Sequence, residues 1–172
     1  MILSSDLILT HPLWERADME LKDNMGIFKR LIDIYLIACA IGIKDDKVIT
    51  EIKEPLISPK SIARNTYMSP VNINLRESLD FMLQNALINS ATLDLSMDER
   101  LKLAFDPDYS TAKLNASTFL TGFANYGIEE IFKRVDSESP LVVLDELYKY
   151  FNELTESKYD EILKNITLDT IK

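Results

Sequence analysis

A chain of 172 residues, 47% hydrophobic and 27% charged, can bury a core without disulfides or metal, which excludes wholesale disorder. Its net charge of −9 argues against non-specific binding to nucleic acid or to an anionic membrane surface. Four glycines and six prolines are few for this length, and with many Leu, Ile, Lys and Glu they favour helices over a turn-rich β-sandwich.

In chain order, Leu7-Ile8-Leu9 is expected to form a short strand or a packed arm, and His11-Pro12 interrupts any helix there. A weak helical pattern follows from Leu13 to Met25, with Leu13, Ala17 and Leu21 on one face. Phe28, Leu31, Ile32, Tyr35, Leu36 and Cys39 then fall at helical spacing and predict a central, buried helix over 28–41 that Gly42 ends. Residues 43–60 are the least helical: Lys44 to Lys47 reads as a turn beside Val48-Ile49-Thr50, and Pro55 and Pro59 punctuate the rest. This stretch is expected to be a small irregular or β-hairpin insertion, with any strand confined to residues 1–10 or 43–57.

After Pro70, Asn74 to Glu77 resembles a capping box for a helix carrying Leu75, Leu79, Met82, Leu83 and Ala86 on one face. Ser96-Met97-Asp98-Glu99 is a closer fit to that box and starts a short helix to about Ala104. Asp106-Pro107 opens a helix to about Tyr126, and Gly127 divides it from 128–135. Ser139-Pro140 repeats the cap-and-proline signal for a helix with Leu144, Leu147, Tyr148, Phe151 and Leu154. Ser157 to Asp160 caps a last one, with Ile162, Leu163 and Ile166 inward. The expected fold is mainly α: one helical-bundle-like domain over 1–172, of about seven helices.

Motifs for chemistry are sparse. His11 is the only histidine and reads as an entry-turn residue, because a zinc site or a Ser-His-Asp triad needs partners that the spacing does not supply. Cys39 lies on the apolar stripe and reads as a small buried hydrophobe. Asp94, Asp98, Glu99, Asp106 and Asp108 raise a carboxylate- or metal-dependent enzyme as one alternative, but the loop has no EF-hand glycine or closing glutamate. No G-x-G-x-x-G, phosphate loop, H-E-x-x-H or G-x-S-x-G occurs, so no catalytic residue, cofactor or metal ligand is assigned. Tyr148, Tyr150, Phe151 and Tyr159 at helical spacing read as core.

Charge is uneven. Residues 29–76 hold eight basic and five acidic residues, a local +3, whereas 77–172 hold nine basic and eighteen acidic, a local −9. Lys44, Lys47, Lys53, Lys60 and Arg64 lie in the irregular stretch, where loops carry function, and are the candidate partner-binding residues. A solvated face paired with Asp45, Asp46, Glu51 and Glu54 is the competing reading.

Phe28 to Gly42, with Asp33, Ala38 and Ala40, and the run from Phe123 to Glu130 resemble two blocks of a known family. Its members are small accessory proteins encoded beside bacterial DNA-phosphorothioation (dnd) and related restriction systems. The resemblance covers about a fifth of the chain and implies a context of anti-phage defence, with no catalytic residues to transfer. The expectation is a non-enzymatic accessory or adaptor protein binding other proteins of a prokaryotic complex, with a DNA-associated subunit using 44–64 as the alternative. One cysteine, the lack of an apolar run of about 18 residues and the lack of a basic leader lead to the expectation of a cytoplasmic protein with no membrane partner.

Overall fold

A computed structural model describes residues 3, 5–106, 108–109, 114–135 and 139–153. Helices take up 66% of these residues, so the chain is mainly α. The order is β1 (Leu7–Leu9), α1 (Leu13–Arg16) running into a π-helix (Ala17–Asn24), α2 (Leu31–Asp45), β2 (Lys60–Ile62) and α3 (Arg64–Met68). A 3₁₀ turn (Pro70–Asn72), α4 (Ile73–Asn89), α5 (Met97–Phe105), α6 (Ala116–Arg134) and α7 (140–153) follow. The chain falls into two compact units, Met1–Glu130 and Ile131–Lys172.

In the first unit, α2 and α6 cross at close range. Gly42 and Gly127 permit this: a Cβ on Gly42 would lie 2.3 Å from the carbonyl oxygen of Phe123, and one on Gly127 only 1.9 Å from that of Ala38. Both glycines sit inside helices, not at the ends where local rules place them, because each leaves room for the opposite backbone. Instead α2 ends at Asp46, a non-glycine in the left-handed region at φ 48°. There the Lys47 N–H reaches Gly42 O at 3.0 Å and the Asp46 N–H reaches Ile43 O at 3.2 Å, a Schellman closure. The Asp46 carboxylate also accepts the Ala91 N–H at 2.8 Å, tying the end of α2 to the end of α4.

On α2, Ile32, Tyr35 and Cys39 are fully buried as expected, but Leu31 and Leu36 are only half-buried. Ile34, Ala38 and Ile41 take their place. The helix is apolar nearly all round, so composition leaves the phase of its buried face open and packing decides it. Phe28 precedes the helix, which begins three residues later.

Strand β1 pairs antiparallel with β2, Leu7 opposite Ile62 and Leu9 opposite Lys60. The second strand thus lies beyond 43–57, and the pair is non-local, not a hairpin within the insertion. Val48 to Thr50 stays irregular and packs on α6, with the Ile49 N–H donating to Gly122 O at 2.9 Å.

Helices α4 and α5 form an antiparallel pair. The Ser96–Glu99 capping box is present in full. Arg100 clasps the connection, its guanidinium donating to the carbonyls of Leu95 (3.0 Å), Ser90 (2.6 Å) and Leu93. At the far end Gln84 Nε2 donates to Ala104 O at 3.1 Å. Leu79, Leu83, Ala86 and Leu87 are the buried face of α4. Helix α6 begins at Ala116, nine residues after Pro107, because Asn115 caps it: its Oδ1 accepts the Thr118 N–H at 3.0 Å.

In the second unit, α7 starts after Ser139 as expected, and Val143, Leu147 and Tyr150 are buried. Leu144 and Tyr148, expected inward, are exposed, because Val143 and Tyr150 turn the apolar face away from them. The Arg134 guanidinium lies 4.1 Å above the Tyr150 ring. Leu154, Tyr159 and the helix expected from Ser157 lie outside the described residues.

Candidate functional site

The polar residues of the first unit are largely committed to the fold. His11 uses both ring nitrogens: Nδ1 accepts the Leu13 N–H at 3.3 Å, and Nε2 lies 3.1 Å from Glu129 Oε1. The first bond makes Nδ1 the acceptor, so Nε2 carries the proton and donates to the carboxylate. His11 therefore joins the start of α1 to α6, with no nucleophile in its hydrogen bonds. Asn125, buried on α6, accepts from the Trp14 indole at 2.9 Å and donates to Ile49 O at 3.1 Å. Tyr35 and Thr121 share a hydroxyl hydrogen bond of 3.2 Å. Burial drives the Cys39 thiol well above its ordinary pKa, so it is a core hydrophobe with a weak bond to Leu120 O at 3.6 Å.

A cleft of about 310 Å³ opens beside this network, lined by Ser5, Asp6, Thr10, Thr50, Ser117 and Thr118 among others. The carboxylate of Asp6 accepts the Arg64 N–H at 2.8 Å, and Ser5 and Ser117 pair their hydroxyls at 3.2 Å. The cleft can bind polar groups, but among the described residues its lining contains no histidine, lysine or cysteine to act as base or nucleophile.

The five basic residues singled out in the sequence stand in different surroundings. Lys60 is drawn onto Asp18 at 2.9 Å, and Lys22 binds the same carboxylate. Burial opposes ionisation of Asp18, but hydrogen bonds from Lys22 and then Lys60 outweigh it and hold its carboxyl below the ordinary value. Lys47 donates to the Tyr126 hydroxyl at 3.4 Å, with its ammonium 5.3 Å from the ring centre. That hydroxyl donates to Asp45 at 3.2 Å. Burial, with Glu130 and Asp45 nearby, pushes the Tyr126 phenol up to about 12. Lys44, Lys53 and Arg64 are exposed.

Three of the acidic residues of 94–108 are engaged locally. Glu99 belongs to the capping box, Asp98 pairs with Lys102 at 3.7 Å, and Asp106 accepts the Asp108 N–H at 3.0 Å. Among the described residues, no three of His, Cys, Asp or Glu form a group that could hold a metal ion.

Reasoning from the sequence missed an apolar surface on the α4–α5 pair. Met97, Leu101 and Phe105 recur every four residues along α5 and are 54%, 42% and 61% exposed, and Phe81 on α4 is 67% exposed. The Gln84–Ala104 bond puts Phe81, one turn before Gln84, at the same end of the pair as Phe105. The signal was present: α5 buries Leu103 and Ala104, so the 97–101–105 row is a second apolar face, which stays exposed. No described helix is long and apolar enough to cross a membrane. The chain matches no protein-family model, no curated protein and no solved structure.

Proposed function

We propose that this chain is a non-enzymatic accessory protein that holds another protein, within a prokaryotic complex of the anti-phage defence or restriction kind that its resemblance implies. The observation that carries this reading is the exposed row Met97, Leu101 and Phe105 on α5, with Phe81 exposed on α4 at the same end of the pair as Phe105. Exposed apolar groups gathered in this way mark interaction surfaces. The commitment of His11, Asn125 and Asp18 to structural bonds fits a binding protein better than an enzyme. A cytoplasmic setting is part of the proposal and is consistent with a single free, buried cysteine. The second reading, a DNA-associated subunit, draws on exposed Lys44, Lys47, Lys53 and Arg64.

The test is photo-crosslinking in the source cell with benzophenone-alanine at position 105, and at fully exposed position 57 as control. A discrete protein adduct at 105 that is missing at 57 is the expected result. Equal, diffuse labelling at both positions contradicts the proposal. Crosslinks from positions 47 and 53 to DNA, with none to protein from 105, transfer it to the second reading.

A further inference from the structure

We infer that the α4–α5 face receives a basic, amphipathic α-helix of the partner protein; this rests on the adaptor reading above. Three features of the surface lead there. The first is its form. Met97, Leu101 and Phe105 make an i, i+4, i+8 ridge about 12 Å long on one helix, inclined to its axis, along which a row of the same spacing on a second helix can lie.

The second is the charge around that row. Glu77 stands one turn before Phe81, Asp98 follows Met97, and Asp106 follows Phe105, all three exposed. Residues 73–109 carry seven acids against three bases, a net of −4. Of the bases, Arg100 is spent on loop carbonyls, and Lys102 pairs with Asp98, so Glu77 and Asp106 contribute most of the border's charge. An apolar strip with an acidic border is complementary to an apolar strip with a basic border. A second copy would bring acids against acids, and a nucleic acid would bring phosphates against them.

The third is rigidity. The capping box fixes the start of α5, and the Arg100 clasp and the Gln84–Ala104 bond fix the two helices to each other. The face is therefore formed before the partner arrives, which lowers the ordering cost of binding.

The experiment uses the full chain and three fluorescein-labelled peptides of about 18 residues, long enough for five helical turns. One is an amphipathic Leu/Lys helix, one a scramble of the same composition, and one the Leu/Glu counterpart. Anisotropy titration should show binding of the first alone, weakening with salt. The exposed double variant Phe81→Ser/Phe105→Ser should lose at least about tenfold in affinity. Asp98→Asn/Asp106→Asn should bind more weakly and with a shallower salt dependence. Binding of the scramble as tight as that of the helix would mean bulk charge attraction and would overturn the inference. So would preference for the Leu/Glu peptide, or an unaffected Phe double variant. A wild-type dimer in sedimentation that the Phe double variant dissolves would assign the face to a second copy instead. If no peptide binds but position 105 still crosslinks to one protein, the partner chemistry is wrong and the adaptor reading stands.

Discussion

Gly127→Ala should be the most damaging methyl that can be added to α6. The new Cβ would sit 1.9 Å from Ala38 O, against about 3.4 Å for an ordinary contact, and the obstacle is backbone, not a side-chain end that can swing away. Helices α2 and α6 must then part by about 1 Å, loosening the packing of Tyr35, Ala38, Phe123 and Ile128, all fully buried. Overpacking of this kind costs about 1–3 kcal/mol and sometimes more, and rigid backbone on both sides puts it at about 4. Alanine returns about 1 kcal/mol of helix propensity, leaving a net loss of about 3 kcal/mol. That corresponds to a Tm drop of about 6–12 °C for a chain of this size. Gly122→Ala, on the same helix, is the internal control. Its Cβ would meet Thr50 and Val48 at 3.4 Å, an ordinary contact, so the propensity gain should dominate and stability stay level or rise by up to about 1 kcal/mol. Urea unfolding followed by far-ultraviolet circular dichroism measures both. Equal effects of the two substitutions, or a loss below about 1 kcal/mol at Gly127, would refute the close crossing.

Three further outcomes follow from the polar contacts. Asp18→Asn should cost about 1 kcal/mol at neutral pH, since the charged carboxylate holds Lys22 and Lys60. Its folded pKa is lowered, so this stability is present above the unfolded value of 3.8 and fades as pH falls through the folded one; in a pH series the gap between wild type and variant should close under acid. Arg100→Met should lower stability by about 2 kcal/mol, read from the urea midpoint, by leaving the Ser90, Leu93 and Leu95 carbonyls without their guanidinium. Cys39, buried and with its thiol pKa raised, should react with a thiol reagent only at the rate of unfolding; fast stoichiometric labelling of the native protein would contradict its placement.

Local signals were read correctly where the determinant is local. The Ser96–Glu99 box lies within four residues, and its helix forms where expected. In sequence Gly42 and Gly127 look like breakers, because their role is set by a backbone far along the chain. The same holds for β2, whose partner residues are 51 to 55 positions away in the register that pairs Leu7 with Ile62. Asp106-Pro107 looks like the start of α6 because a proline after aspartate is a common opening, whereas Asn115 supplies the actual cap. Asn125 and Arg100 are plain polar residues in sequence, and only tertiary structure brings Trp14 to one and the 90–95 carbonyls to the other. The basic residues were legible as charges but not as surroundings: nothing in the sequence pairs Lys60 with Asp18. The α4–α5 face was legible in principle, since Met97, Leu101 and Phe105 form a row that Leu103 and Ala104 do not share.

Where the partner binds tests the adaptor role most directly. With the protein crosslinked at position 105 in hand, calorimetry can compare wild type with Phe81→Ser/Phe105→Ser and with Lys44→Glu/Lys47→Glu/Lys53→Glu/Arg64→Glu. The first variant should weaken binding by at least about tenfold and the second by less than about threefold, each with an unchanged fold. The reverse order, with the charge reversal abolishing binding and the phenylalanine variant binding normally, would contradict it and place the contact on the basic segment.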